Sequence, residues 1–181
     1  MLSKIRSSAR TILAIETFDG DVFGGFVSSP WRVNPGGFYG SCEAFLWRLP
    51  KTRLSGSSTV EEQIELESGL QVFDWSGKNR NVQSVSGADG ELVIGGGGPD
   101  EDPSQGGGSG ITITADISSG FSEPCLTFES PFIPTLEGKK DPFEIANMEV
   151  WSLTPVDNLE QAEQLELGRQ FIFDHGNFAL A

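Results

Sequence analysis

The chain has 181 residues, 37% of them hydrophobic, and a net charge of −14 from 26 acidic against 12 basic side chains. That length holds one domain with a real core, and the apolar content is globular rather than disordered. The charge excludes direct binding to a nucleic-acid backbone, and no apolar run reaches the roughly 20 residues of a membrane helix, which excludes insertion by that route.

In chain order, residues 3–10 read as the end of a helix, basic at Lys4, Arg6 and Arg10. A mitochondrial targeting segment shares that composition. Thr11 to Thr17 reads as a strand, and the unbroken Ile12-Leu13-Ala14-Ile15 predicts burial on both faces. Asp19-Gly20 is a hairpin turn, and Val22 to Ser28 is the returning strand. Its Gly24-Gly25 pair predicts a bulge or a close backbone approach. Pro30 to Gly37 is a loop around Asn34-Pro35-Gly36-Gly37. Glu43 to Leu49 is a strand with Phe45 and Trp47 on one face and Ala44 and Leu46 on the other.

Residues 51–68 are polar and read as an inserted surface loop. Leu70 to Trp75 is a strand, and residues 81–86 and 91–94 form a hairpin around Asp89-Gly90. Gly95 to Gly110 is a glycine-rich, acidic loop. Ile111 to Ile117 alternates cleanly and predicts a half-buried strand. A loop with Cys125 and Phe128 follows. In Phe143 to Trp151 the apolar parity slips, which a bulge near Ala146-Asn147 would explain. Asp157 with Glu160 starts a helix whose apolar line is Leu159, Ala162 and Leu165, ending near Gly168.

About eight short strands without intervening helices predict a mainly β fold, a two-layer antiparallel β-sandwich with few peripheral helices. Trp47, Phe45, Phe73, Ile113 and Val150 are its expected core. Residues 1–155 form the sandwich domain and 156–181 a C-terminal helical extension.

Chemistry is sparse. A reactive thiol needs a nearby cation or helix N-terminus, and Glu43 beside Cys42 acts the other way. Cys42 and Cys125 are therefore expected to be buried and structural, with redox activity the alternative. The only histidine, His175, has no nucleophile elbow to serve, and two cysteines with one histidine make a poor zinc set. Asp100, Glu101 and Asp102 lack calcium-loop spacing. Gly95 to Gly98 lacks the Lys-Ser/Thr of a phosphate loop. No cofactor is expected. Glu43, at the head of an apolar strand, must reach solvent or accept backbone N–H bonds from the Pro30-to-Gly40 loop. Two cysteines and no Asn-x-Ser/Thr acceptor favour a reducing, cytoplasmic setting.

Five landmarks run in order: Phe38-Tyr39-Gly40-Ser41-Cys42-Glu43, Trp75-Ser76-Gly77-Lys78-Asn79, Gly95 to Gly98, Cys125-Leu126-Thr127-Phe128 and Glu149-Val150-Trp151. Over roughly residues 9 to 153 the chain resembles the TLDc domain family, the module of the oxidation-resistance proteins. Ser41 and Cys42 stand where the family has Thr and Gly. The family domain normally begins well upstream, with a helical segment and His-Gly motifs absent here, and it usually ends near the last Trp.

The resemblance implies a non-catalytic interaction module tied to oxidative-stress protection, with subunits of the vacuolar proton pump (V-type ATPase) as the protein partner. Trp31, Phe38, Tyr39, Gly40 and Glu43 are then the candidate contact residues, on a loop held by a rigid scaffold. The alternatives are an antioxidant protein using Cys42 or Cys125, a structural subunit of another assembly, and a glycan-binding platform of Trp31, Tyr39 and Trp47.

Overall fold

The computed structural model describes residues 8–34, 37–49, 59, 68–86, 90–97, 107–134, 142–153, 158–165 and 167. The expectations for residues 3–7, the 51–67 insertion apart from Thr59, Asp89, Asp100 to Asp102, Asp157, and the tail from Gly168 with His175 lie outside these residues.

Nine strands form in chain order: β1 (Thr11–Thr17), β2 (Val22–Val27), β3 (Phe45–Arg48), β4 (Gln71–Asp74), β5 (Gln83–Val85), β6 (Leu92–Ile94), β7 (Ile111–Ile113), β8 (Ser119–Phe121) and β9 (Phe143–Ser152). They hydrogen-bond in the order β4-β3-β2-β1-β9-β8-β7-β6-β5, every neighbouring pair antiparallel. The last strand is the seam between the two meanders. Its first residues, Phe143 and Glu144, pair with β8, and the stretch from Ile145 onward pairs with β1.

The bulge expected near Ala146-Asn147 sits at this seam. Thr17 opposes Ile145 and Glu16 opposes Asn147, so Ala146 is left unopposed. An extra residue bends its strand and increases its twist.

The two halves face each other across one core, as in a β-sandwich. A methyl group added at Gly25 on β2 would lie 3.0 Å from Ile94 on β6, and one at Gly110 would lie 2.6 Å from Leu46 on β3. Phe23 meets Phe143 edge-on at a centroid distance of 5.1 Å, a favoured aromatic geometry. Leu13, Ile15, Phe23, Leu46, Ile94, Ile111 and Ile113 are all buried, and each such side chain contributes about 1.5–3 kcal/mol of transfer free energy.

Several expectations need correcting. β1 alternates rather than burying both faces: Thr11, Leu13, Ile15 and Thr17 point inward, while Ile12 and Ala14 are half-buried. Of the expected core, Ile113 is buried, but Phe45, Trp47, Phe73 and Val150 are only half-buried. On β3 the inward residue is Leu46, with Ala44 buried just before the strand, because Leu46 enters the gap left by Gly25 and Gly110. Gly24-Gly25 makes no bulge, since the β1–β2 register is continuous there. The pair permits close approach: a side chain at Gly24 would overlap the Leu13 carbonyl.

The alternating run from Ile111 is strand only to Ile113. The Thr114 hydroxyl lies 2.7 Å from the Asp116 carboxylate and 2.8 Å from the Ser119 carbonyl, closing a turn there. Ile117 takes a left-handed φ of 64° within it. Those bonds, the Thr114 hydroxyl first and the Ser118 amide next, hold Asp116 below the ordinary carboxylate pKa. The chain then returns as β8, which carries no strand signature of its own.

Near the C-terminus residues 159–165 are helical. Asn158 caps them, its Oδ1 accepting from Gln161 N at 2.9 Å and its carbonyl from Ala162 N at 3.2 Å. Leu159 and Leu165 on this helix are exposed.

Candidate functional site

The connection from β2 to β3 carries the candidate contact residues. Trp31 leaves the surface at once: its indole is 1% exposed, and Nε1 donates to Thr11 Oγ1 at 2.9 Å. That removes it from the contact set and from any glycan platform with Tyr39 and Trp47. A buried indole requires a partner for its N–H, and Thr11 at the start of β1 supplies one.

The next residue points outward. Arg32 is exposed, and its backbone is gripped by one phenol: the Tyr39 hydroxyl accepts from Arg32 N at 2.7 Å and donates to Arg32 O at 2.8 Å. The Arg32 guanidinium lies over the Tyr39 ring, 5.1 Å from its centroid. Tyr39 is itself fixed by a two-way backbone bridge to Gln83 on β5, at 2.8 and 2.9 Å. The loop tip is tied by Asn34, which bonds Gly37 in both directions at 3.0 Å. Both ends of the excursion are thus anchored, and the connection reaches across to the opposite half.

A cleft of about 430 Å³ opens beside this loop, lined among others by Ser29, Arg32, Phe38, Tyr39, Gly40 and Arg80. Gly40 sits at φ 127°, a backbone state that glycine adopts freely, and a side chain there would strike Val82 at 2.8 Å. Among the described residues, no acidic side chain lines the cleft.

Behind the cleft wall, three of the landmarks lock together. Thr127 is fully buried; its hydroxyl lies 2.8 Å from Asn79 Oδ1 and accepts from Gly96 N at 3.0 Å. Asn79 Nδ2 donates to Gly97 O at 2.8 Å, and its own carbonyl accepts from Trp75 Nε1 at 2.7 Å. Ser76 bonds Thr127 O through its amide and Leu126 O through its hydroxyl. Gly95, at φ 80°, lets the chain pass Cys125 Sγ, which would be 2.5 Å from a side chain there. A methyl group on Gly96 would sit 2.6 Å from Phe38, so the lock packs directly against the cleft. Lys78 pairs with Glu129 on the exposed rim.

The other candidates separate. Cys42 is exposed rather than buried, because Ser41 to Ala44 form a surface turn closed by Ala44 N to Ser41 O at 3.2 Å. Cys125 is buried against Gly96 O at 3.6 Å, and both thiols are free. Glu43 does not tie down the loop: its exposed carboxylate faces Arg10 at 3.9 Å, and Tyr39 does the tying. No group of three metal-ligating side chains occurs among the described residues.

Reading the sequence missed Arg32 and Arg80. A signal existed: Trp75 to Ser86 holds Lys78 and Arg80 with no acidic residue, against the −14 of the whole chain. The cleft itself needs residues almost 50 positions apart, and the Tyr39–Gln83 bridge, with Gln83 Nε2 donating to Ser29 O at 3.2 Å, brings them together.

Comparison with known proteins agrees with the motif order. The TLDc domain family model matches residues 1–154. Nuclear receptor coactivator 7 of Gallus gallus is 28% identical over 141 residues, which is 78% of this chain and 12% of that protein. The Homo sapiens protein of the same name is 27% identical over 141 residues, with the same coverage. Oxidation resistance protein 1 of Rattus norvegicus is 28% identical over 141 residues, 78% of this chain and 13% of that protein. The chain therefore spans only about an eighth of the length of these relatives.

Proposed function

The chain belongs to the TLDc domain family, and on that premise we propose that it is a non-catalytic protein-interaction module whose contact surface is the loop from Ser29 to Glu43 with Arg80. One observation carries the reading: an exposed cleft whose loop is pinned by Tyr39 on both backbone groups of Arg32. A loop fixed before binding loses little entropy when a partner docks. The landmark residues behind it supply rigidity, while Phe38, Tyr39 and Gly40 supply the surface. The specific partner proposed is a subunit of the vacuolar proton pump, in the cytoplasm and in the service of oxidative-stress protection, as the family resemblance implies.

The test is quantitative capture of pump subunits by the immobilised protein and by Tyr39→Phe. That variant keeps the ring and frees the Arg32 backbone, so capture should weaken while the fold persists. Undiminished capture by Tyr39→Phe, or no pump subunit enriched by the parent, sinks the proposal.

The exposure of Cys42 favours a second reading, redox activity at that thiol. Peroxide consumption by the parent that is lost in Cys42→Ser would establish it; equal rates in both would remove it.

A further inference from the structure

We infer that the outer face of the strands β4-β3-β2-β1-β9 is a second docking surface, and that its occupant is a basic amphipathic helix of a partner protein. This surface is built from strands and is separate from the reading of the Ser29-to-Glu43 loop. An antiparallel sheet that meets water on one side normally alternates apolar inward with polar outward. Here the outward positions are apolar too. The register aligns Trp151, Ile12, Phe26 and Phe45 in one cross-strand row. The next row runs Ala14, Gly24, Trp47 and Val72. Leu13, Leu46 and Phe73 hold the alternate positions and pack in the core, so both rows lie on the outer side.

Trp151 is 60% exposed and Val72 46%, while Ile12, Phe26, Phe45 and Trp47 are half-buried. Part of that shielding is mutual. Phe26 stacks on Phe45 with centroids 5.1 Å apart, and a methyl group on Gly24 would lie 3.0 Å from the Trp47 ring, so the indole lies across the glycine. A contiguous band of large apolar side chains on a surface marks an interaction site. The band crosses from β9 to β4, four strand spacings of about 4.8 Å, or about 19 Å. A helix rising about 1.5 Å per residue covers that distance with about 13 residues. Its apolar stripe is the kind of element against which a sheet buries its face.

Charge selects among the helices. Glu16, Asp74 and Glu149 stand at outward positions around the band, and all three are exposed. At one corner Arg10 is already paired with Glu43 at 3.9 Å. The rim is therefore acidic, and the −14 charge of the chain steers the same kind of partner from long range. The chain's own C-terminal helix has the wrong sign, because Glu160 and Glu163 stand beside its exposed Leu159 and Leu165. A second copy would bring −14 against −14. A segment with Lys or Arg flanking an apolar stripe fits both the band and the rim.

The probe is a fluorescently labelled peptide of about 16 residues, with leucines along one helical face and lysines elsewhere, read by anisotropy. Its controls are the same residues scrambled off that face, and the same pattern with glutamate in place of lysine. The basic amphipathic peptide should bind, more weakly as salt rises, and each control about tenfold or more less tightly. Trp151→Ser should weaken binding by about tenfold, as the loss of an aromatic anchor does. Val72→Thr, at the far end of the band, should weaken it less; unchanged melting temperatures check the fold of both variants. Glu16→Gln combined with Glu149→Gln should flatten the salt dependence. Equal binding of either control peptide, binding unmoved by both Trp151→Ser and Val72→Thr, or a salt dependence unmoved by the two glutamine substitutions would overturn the inference. So would binding that tightens when Leu159→Gln and Leu165→Gln are introduced together, because the chain's own helix would then be the occupant. Self-association of the parent that Trp151→Ser abolishes would also overturn it, in favour of a second copy. Peptide binding should survive Tyr39→Phe, so failure of pump capture in that variant bears on the loop alone.

Discussion

Two regions meet back to back at Phe38 and use their polar groups in opposite ways. Behind it, Asn79, Thr127 and Gly96 close on one another at 2.8 and 3.0 Å, and Asn79 and Thr127 are sealed from water. In front, Arg32 and Arg80 are exposed residues at the cleft, and the half-buried Tyr39 bonds the Arg32 backbone through its hydroxyl. Both regions are built from conspicuous motifs. The difference lies in where the bonds end: in the lock they end on protein, and in the cleft they position groups that face outward. A conspicuous residue pattern therefore marks the scaffold as readily as the site, and burial separates the two.

The comparison breaks first at Trp31, which lies in the loop sequence but in the core by position. Trp31→Ala should cost about 3–5 kcal/mol in a denaturant melt, as for a buried aromatic truncation. A loss below about 1 kcal/mol would return Trp31 to the surface. Next comes the lock. Thr127→Val keeps the shape and leaves Gly96 N without its acceptor, so it should cost about 1–3 kcal/mol. Partner capture through the loop should change little if the two regions are independent; a parallel loss would show that the lock sets the cleft through Phe38.

Tyr39→Phe removes one exposed hydroxyl with two backbone bonds, and its stability cost should be about 0.5–1.5 kcal/mol. Its larger effect should be on capture, because the Arg32 backbone is released. A stability loss as large as that of Trp31→Ala would place Tyr39 with the scaffold. The smallest effect belongs to Asp116, outside both regions. Its carboxyl titrates below the ordinary value because the folded turn donates to it. A lowered pKa stabilises above the unfolded value, and that contribution fades as the pH falls through the folded one. In an NMR titration Thr114→Val should raise the Asp116 pKa toward the ordinary carboxylate range, while an unchanged value would discount the hydroxyl.

Much of the architecture was legible along the chain. The hairpin of β1 and β2, the β5–β6 hairpin and the bulge in β9 follow from turn residues and from apolar parity, which are local properties. Inward and outward choice was not legible on β3. Alternation separates Phe45 and Trp47 from Ala44 and Leu46, but which pair faces the core depends on what stands opposite. There Gly25 and Gly110 admit Leu46. β8 was invisible for a similar reason: Ser119-Gly120-Phe121 is a strand because β7 and β9 flank it.

The sequence alone determined the family, the mainly β architecture and the loop on which the candidate residues lie, because these are written in order and spacing. Tertiary structure decided that Trp31 is core, that Cys42 is exposed, and that Arg32 and Arg80 share a cleft. Those outcomes depend on distant partners: Thr11 for the indole, and the Tyr39–Gln83 bridge for the two arginines. A side chain's exposure is set by what packs over it, and residues remote in the chain do that packing.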